Sequence, residues 1–319
     1  MGDQNFSDVI NKKDPESGFK EISEIIQLLG ADRILDEYRS AFQDIIRLFN
    51  GDYPGYRASN TRYHDLDHTI MVALTTARLI CGCMQNRFVF DHDNILTGLL
   101  AALFHDSGLI QTQDDLEGTG AKHTLGHEKR SAAFMREYLS KKGGSAGKIL
   151  DCGHMIKTTN LNLDTKEIPF SSRKVELLGK IVGSADLLAQ MAERSYLEKL
   201  FLLYQEFEEA GISVYESEAQ LLFKTREFYD NVVSRRLKDN YENIASNIRF
   251  YFKKRWGIDK DLYDMAIQNN LKYLTQICET EQDCERKKLI HSLRRDGILR
   301  EEKLKEQREN DLENRSSAP

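Results

Sequence analysis

The sequence predicts an all-α fold, and three observations support this. Prolines are rare, with four among 319 residues. Helix-favouring Leu, Ala, Glu, Lys and Arg are abundant. No stretch alternates β-branched and polar residues as a half-buried strand does. The hydrophobic content of 40% is enough for a large core, in one large domain or two small ones. We expect one helical domain over residues 17–278.

Apolar residues at helical spacing define the first half of this domain. Two packing helices are expected at Ser17–Gly30 and Ile34–Phe49, followed by a loop around Pro54. A third helix is expected at Tyr63–Leu79. The next, Asn94–His105, is apolar almost all round, as is typical of a helix in the centre of a large domain.

The second half of the domain continues the same pattern. Gly143 and Gly144 separate two helices, and a polar loop from Asn160 to Ser172 separates the second of these from the next helix. The helices predicted in this half are His127–Leu139, Ile149–Thr159, Val175–Met191, Tyr196–Phe207, Glu218–Leu237, Asn240–Trp256 and Leu262–Cys278.

The two ends of the chain differ in composition from the domain. Residues 1–16 have no apolar signal core and are expected to be flexible. Residues 279–319 are mostly charged, which predicts a solvated helix that frays into a disordered tail.

Composition also excludes several classes of protein. Five cysteines without a CxxC pair indicate neither a disulfide framework nor a thiolate zinc site, and they favour a reducing, cytoplasmic location. The net charge of −6 argues against binding to a nucleic-acid polymer. No apolar run approaches the roughly 18 residues of a membrane span, so no membrane association is expected.

Polar residues inside apolar helices mark a candidate site. His105 and Asp106 end the most apolar helix, in ALFHDSG, and Asp186 lies within IVGSADLLAQM. A buried charge costs several kcal/mol or more unless it is paired or binds a metal. A His-Asp pair at a helix end is also common as a cap or a hydrogen-bonded pair. However, His64 and His68 add imidazoles one helical turn apart, and imidazole with carboxylate suits a divalent transition metal.

In their order along the chain, these residues resemble the metal signature of the HD-domain superfamily of phosphohydrolases. RYHDLDH resembles the YHNxxH motif of the cyclic nucleotide phosphodiesterases within that superfamily, with Asp65 where Asn is usual and Met71 where Asp is usual. GHEKRSAAFMREYL and MIKTTN resemble segments of bacterial members. The resemblance covers about residues 56–191 and implies an all-α HD/phosphodiesterase-like bundle with a buried metal centre.

The resemblance also implies roles for individual residues. It makes His68, His105, Asp106 and Asp186 the ligands of one metal and gives Asp106 a bridge to a second. His64 takes the role of the general acid that protonates the leaving oxygen, and imidazole titrates in the range that this role needs. The expected cofactors are two divalent cations, Mn, Mg, Zn, Co or Fe, which would activate a hydroxide.

The middle histidines leave alternatives open. By the phosphodiesterase pattern, Glu128 orients a water at the metals, whereas in other HD proteins a histidine such as His127 binds a second, often iron, cation. The simpler interpretation of His154 is a buried, hydrogen-bonded histidine. The Gln220-to-Phe223 segment, QLLF, is similar to the purine-holding Gln-x-x-Phe pair, but it comes too soon after Asp186.

The predicted site is compatible with three functions. The first is a metal-dependent hydrolase of a small phosphate ester, such as the phosphodiester of a cyclic nucleotide. The second is an HD-type di-iron oxygenase, which would need His127 and His154 as ligands. The third is a non-catalytic signalling scaffold, which the intact ligand set disfavours. The sequence leaves homo-oligomer formation open.

Overall fold

The computed structural model describes residues 14–280, 286–293, 295 and 297–300. Within these ranges the chain is helical apart from turns, loops and one isolated β-bridge between Tyr56 and Thr112, so the predicted all-α class is confirmed. The helices, numbered here in chain order, are α1 (Pro15–Leu28), α2 (Leu35–Asn50), α3 (Leu66–Gln85), α4 (His92–Phe104), α5 (His127–Lys141), α6 (Ala146–Ile156), α7 (Arg173–Ala192), α8 (Tyr196–Glu209), α9 (Glu218–Phe228), α10 (Ile248–Trp256), α11 (Leu262–Thr280) and α12 (Arg286–Ser292).

Helices α3, α4 and α7 form the centre of the molecule. They pack against one another, and α3 is buried continuously from His68 to Cys83. Helix α4 is buried from Ile95 to Phe104, as its all-round apolar sequence predicts. Helices α2, α6, α10 and α11 cover these three. Polar side chains on the central helices are therefore held away from solvent.

The start of α3 differs from the sequence expectation. The helix begins at Leu66 rather than near Tyr63, because the Asp65 side chain accepts a hydrogen bond from the His68 backbone N–H at 2.8 Å and caps the N-terminus. His64 thus precedes the helix, and the expectation that it lies one turn back on the same helical face is wrong. Asp is among the best N-cap residues, which is consistent with this position of Asp65.

Other helix boundaries also shift. Helix α9 ends at Phe228 and continues as two π-helical turns, Tyr229–Val233 and Arg236–Asn240. Helix α10 begins only at Ile248, after a 3-10 turn. None of the helices in the described ranges has both the length and the apolar character that a bilayer crossing requires.

The chain ends are partly outside the described residues. The flexible N-terminus expected at residues 1–16 lies mostly there, and Asp14 caps α1 through the Ser17 N–H at 2.8 Å. In the charged segment after residue 279, α12 buries Leu289 and Ile290, and Leu293 follows in the same core. This part of the expected solvated tail therefore packs on the domain. Residues 301–319 are not described.

Candidate metal centre

Four side chains from three separate places in the chain meet at the centre of the fold. His68 lies in the first turn of α3, His105 and Asp106 directly follow α4, and Asp186 lies in the middle of α7. His68 Nε2 is 3.3 Å from His105 Nε2, 3.4 Å from Asp106 Oδ2 and 3.3 Å from Asp186 Oδ1. His105 Nε2 is 3.2 Å from Asp106 Oδ2 and 3.8 Å from Asp186 Oδ1. All four residues are at least nine-tenths buried.

The backbone fixes which nitrogen of His105 faces this cluster as a ligand. Its Nδ1 lies 2.8 Å from the carbonyl oxygen of Ala102, and a carbonyl can only accept. Nδ1 therefore carries the proton, and in the neutral imidazole Nε2 presents a lone pair to the cluster. A hydrogen bond of this kind orients most metal-binding histidines in proteins.

The two oxygens of Asp106 face different partners. Oδ2 faces His68 and His105, whereas Oδ1 lies 3.3 Å from Nε2 of His127. The Nδ1 atom of His127 donates to the Thr124 carbonyl at 2.8 Å, so its Nε2 is also the lone-pair nitrogen of the neutral ring. Asp106 is thus placed between two groups of ligand atoms.

Close packing holds Asp106 beside His127. The turn after Asp106 contains Gly108, where an added Cβ would lie 2.2 Å from the His127 carbonyl oxygen, so a larger residue would push the turn away from α5. Ser131 accepts from the Gly108 N–H at 2.9 Å, and Arg130 donates to the Gly108 carbonyl at 2.6 Å. The first turn of α5 and the Asp106 turn are therefore one rigid unit.

The donor set fits a transition-metal ion. His68, His105 and Asp106 offer ligand atoms that all lie within 4.8 Å of one another in a buried position. Ligand atoms about 2.0–2.2 Å from one shared tetrahedral cation are separated from each other by about 3.3–3.6 Å, close to the spacings of 3.2–3.8 Å observed here. In addition, Asp106 Oδ2 is buried and accepts no hydrogen bond from the described residues, which is costly for an anionic oxygen without a cation.

The charges of the cluster support the same interpretation. Burial disfavours the charged form of His105, but the negative charge of Asp106 outweighs this and raises the pKa of His105 to about 9. The pKa of His127 is raised to about 9, again against burial and through its contact with Asp106. The pKa of Asp106 is held well below its ordinary value despite burial, mainly by His105. The carboxylate therefore attracts positive charge strongly, either protons or a cation.

His64 lies at the edge of the cluster and has its own acidic partner. Its ring centroid is 5.9 Å from that of His68, and its Nδ1 is 2.6 Å from Oε2 of Glu206 on α8. The other Glu206 oxygen accepts from the Tyr63 N–H at 2.7 Å. Burial lowers the pKa of His64, but the charge and hydrogen bond of Glu206 outweigh burial, and the net shift is upward. The pairing favours the imidazolium form.

Two further residues support Asp186. Gln190, one turn along α7, donates from Nε2 to Asp186 Oδ1 at 3.0 Å. Its own Oε1 accepts from the Tyr63 hydroxyl at 3.0 Å. Tyr63 thus donates to Glu206 through its backbone N–H and to Gln190 through its hydroxyl. The hydrogen bond from Gln190 holds the Asp186 carboxylate beside His68. The sequence did not predict these supporting roles of Tyr63, Gln190 and Glu206.

The remaining candidates differ in position. Glu128 is buried and lines the same cavity as the cluster, and within the described part of the chain its Oε2 accepts no hydrogen bond. His154 contacts Phe170 edge-on, with ring centroids 6.2 Å apart, and is absent from the described lining of that cavity. Its buried Nδ1 has no hydrogen-bond partner among the described residues, so the predicted burial is found but not the hydrogen bond.

Gln220, the first residue of the QLLF segment, accepts from the Glu216 N–H at 2.7 Å and does not line the cavity.

A cavity of about 600 Å³ opens onto the cluster. Asp106, His127, Asp186 and His64 form part of its inner wall, together with Glu128. This volume is in the range of sites for small molecules. The arrangement can bind a cation, hold a ligand against it and present a protonated imidazole to that ligand.

The fold and the cluster thus define an all-α protein with a buried His-His-Asp site that can hold a metal ion. The model of the Npun_R2479-like family matches residues 25–249, well over half of the chain, and the protein belongs to this family. The matched range includes every cluster and cavity residue described above. No protein of curated function and no solved structure gives a significant match to the chain.

Proposed function

We propose that this protein is a metal-dependent hydrolase of phosphate esters. The observation that carries the proposal is the convergence of His68, His105, Asp106 and Asp186 on one buried point, at the wall of a cavity that also presents His64. The resemblance of these residues, in their order, to the HD-domain signature is a second support.

The ligands divide into two groups. His68, His105, Asp186 and Oδ2 of Asp106 would hold one cation, and His127 with Oδ1 of Asp106 would help to hold another. Such a pair of divalent cations lowers the pKa of a water and neutralises phosphoryl charge. Imidazole and carboxylate ligands suit Mn, Fe, Co or Zn better than a calcium cage made of oxygen alone.

His64 would act as the general acid. Its Nδ1 is engaged by Glu206, so Nε2 is the atom that would give its proton to the leaving oxygen. The oxygen of a water forms the new bond to phosphorus as the ester P–O bond breaks. The electron pair of that bond goes to the departing oxygen, which takes the His64 proton. The attacking water loses one proton to solvent and His64 regains one from solvent, so each turnover consumes one water and no net proton is gained by the protein.

Glu128 would orient the attacking water. Its buried Oε2 lacks a hydrogen-bond donor and lies in the cavity wall beside His127. A carboxylate in this position can accept a hydrogen bond from a water and direct the water lone pair towards phosphorus.

The first experiment combines metal analysis with a substrate screen. Purified protein is stripped with a chelator, reloaded separately with Mn, Mg, Co, Zn or Fe, and assayed on bis(4-nitrophenyl) phosphate, nucleotides and alkyl phosphates. Metal-dependent release of product is expected. A stoichiometric iron pair with a mixed-valent EPR signal and no hydrolysis of any ester would instead favour a di-iron oxygenase, which His127 beside Asp106 makes the second candidate.

A further inference from the structure

The cavity that opens onto the cluster has two chemically different halves. The inner half contains the cluster together with amides and hydroxyls such as Asn160, Thr159 and Gln190. The outer half, formed by α8, α9 and the segments that follow each, is apolar. Its lining side chains, called here the apolar lobe, are Leu200, Leu203, Phe207, Ile212, Val214, Leu221, Phe228 and Val232, with Tyr196, Tyr215 and Thr225.

The apolar lobe offers few hydrogen bonds. The Thr225 hydroxyl already donates to the Leu221 carbonyl at 3.0 Å within α9. No amide or charged side chain belongs to the lobe, and no lysine or arginine lines the cavity anywhere in the described ranges. A nucleobase placed there would leave several polar atoms unpaired, at about 1–3 kcal/mol each. A polyphosphate placed in the lobe would meet no lysine or arginine among the described lining residues.

The mouth of the cavity is also apolar. Val214 is 71% exposed, Leu125 is 69% exposed and Val232 is 38% exposed, and all three line the cavity. Exposed apolar side chains that lie together around an opening indicate a binding surface for an apolar group. Apolar side chains thus line the exposed edge of the cavity as well as the lobe.

We propose that the apolar lobe binds the alcohol portion of the substrate, which is a phosphate ester of a long apolar alcohol such as an alkyl or isoprenoid chain. This inference rests on the proposed function for the phosphoryl end alone. The phosphate would lie at the cluster, where bound cations and the His64 imidazolium would supply positive charge. The chain would extend through the lobe, and its burial would supply binding free energy in proportion to its length.

The test uses a series of alkyl monophosphates, from methyl to decyl, at concentrations below micelle formation, and measures the release of inorganic phosphate as the alkyl alcohol departs. Each added methylene is expected to raise kcat/KM about fourfold until the lobe is filled. Because decanol lacks a phosphate, its binding to metal-free protein gives a second readout that does not depend on hydrolysis. We expect decanol to raise the Tm of the metal-free protein.

Two variants test whether the apolar lobe causes the dependence on chain length and the decanol shift. Leu203→Gln places an amide within the lobe, and Val214→Asp places a charge at its mouth. Both should flatten the dependence of kcat/KM on chain length and abolish the decanol shift. Val89→Asp is the matched control, because Val89 is also an apolar side chain, 72% exposed, and it does not line the cavity. It should behave as wild type.

The outcomes distinguish the two proposals. Hydrolysis that is independent of chain length, with no decanol shift, would overturn the apolar lobe as a substrate site and leave the hydrolase. A decanol shift lost in Leu203→Gln, without hydrolysis of any ester, would overturn the hydrolase and keep the lobe as an apolar ligand site. Higher kcat/KM on nucleotides than on decyl esters would overturn the assignment of the lobe to an apolar alcohol.

Discussion

His64 and Glu206 form a partly buried pair across 142 residues of sequence, with Nδ1 and Oε2 2.6 Å apart. A carboxylate at this distance stabilises the imidazolium and orients its second nitrogen. The His64 pKa is raised although burial opposes this, and the Glu206 pKa is lowered although burial opposes this too. Glu206 is therefore a positioning residue for His64 rather than a metal ligand.

Replacing Glu206 by Gln should shift the pH profile of turnover. Glutamine retains an oxygen that can accept from His64 Nδ1 but removes the negative charge, so the pKa of His64 should fall. An acid must be protonated to act, and activity is lost as pH rises through its pKa. The basic limb of the kcat–pH profile should consequently move to lower pH, while metal content stays at the wild-type level.

Glu209→Gln is the matched control for this prediction. Glu209 is on the same helix, one turn away, and its carboxylate binds the Thr119 backbone and hydroxyl outside the cluster. Its profile should be unchanged. If the basic limb of Glu206→Gln coincided with that of wild type, His64 would not be the group that sets it.

Substitutions of His64 and His68 should affect metal binding and turnover differently, although the two residues are only four positions apart in sequence. His68→Ala should lower metal occupancy and activity together. His64→Ala should keep its metal and lose turnover by roughly a hundredfold to ten-thousandfold, the usual range for a general acid. Metal is measured by plasma mass spectrometry, and activity is measured on matched esters.

The leaving group gives the sharper measurement for His64. A nitrophenyl ester needs little protonation of its departing oxygen, so His64→Ala should lose less activity on it than on an alkyl ester. Equal losses on both esters with metal retained would leave His64 as a substrate-positioning group, and loss of metal would make it a ligand.

Asp106→Asn should abolish both metal binding and hydrolysis. The amide has nearly the shape of the carboxylate, but it presents a neutral oxygen and a nitrogen to the two groups of ligand atoms. Asp93→Asn, in the exposed first turn of α4, is the control and should keep full metal content. A folded Asp106→Asn protein with a wild-type complement of metal would contradict the site.

The sequence predicts most of the cluster because carboxylates within apolar helices are rare and are easily recognised in the sequence. Asp106 and Asp186 interrupt apolar helices, and there a carboxylate needs a partner. The same reasoning could have found Glu206. It falls three residues after Leu203 and four after Leu202, on the apolar side of α8, and it is buried. Its histidine partner lies 142 residues earlier, and no local pattern specifies that distance.

Local capping chemistry explains the misplaced start of α3. An Asp directly before the first apolar residue of a helix is an N-cap pattern, and Asp65 before Leu66 has it. The helical spacing of His64 and His68 was the more prominent signal but the misleading one. Their rings meet because the chain turns at Asp65 and returns His64 towards the cluster.

The apolar residues after position 286 should contribute to stability in spite of their charged surroundings. Leu289, Ile290 and Leu293 are nearly inaccessible, and α12 packs against α9, which lines the apolar lobe. Leu293 is 1% exposed, so Leu293→Ala should lower the free energy of unfolding. A loss of about 2–5 kcal/mol is usual for a buried leucine, because it combines lost burial with a cavity. Urea denaturation followed by circular dichroism measures it.

The same substitution at an exposed leucine provides the comparison. Leu116 is 73% exposed, and Leu116→Ala should change the free energy of unfolding by no more than about 0.5 kcal/mol. Equal midpoints for the two variants would mean that the segment is solvated, as its charge alone predicts. A selective loss in Leu293→Ala would show that α12 supports the domain. Since α12 backs the wall of the apolar lobe, that variant should also weaken binding of decanol while leaving metal content unchanged.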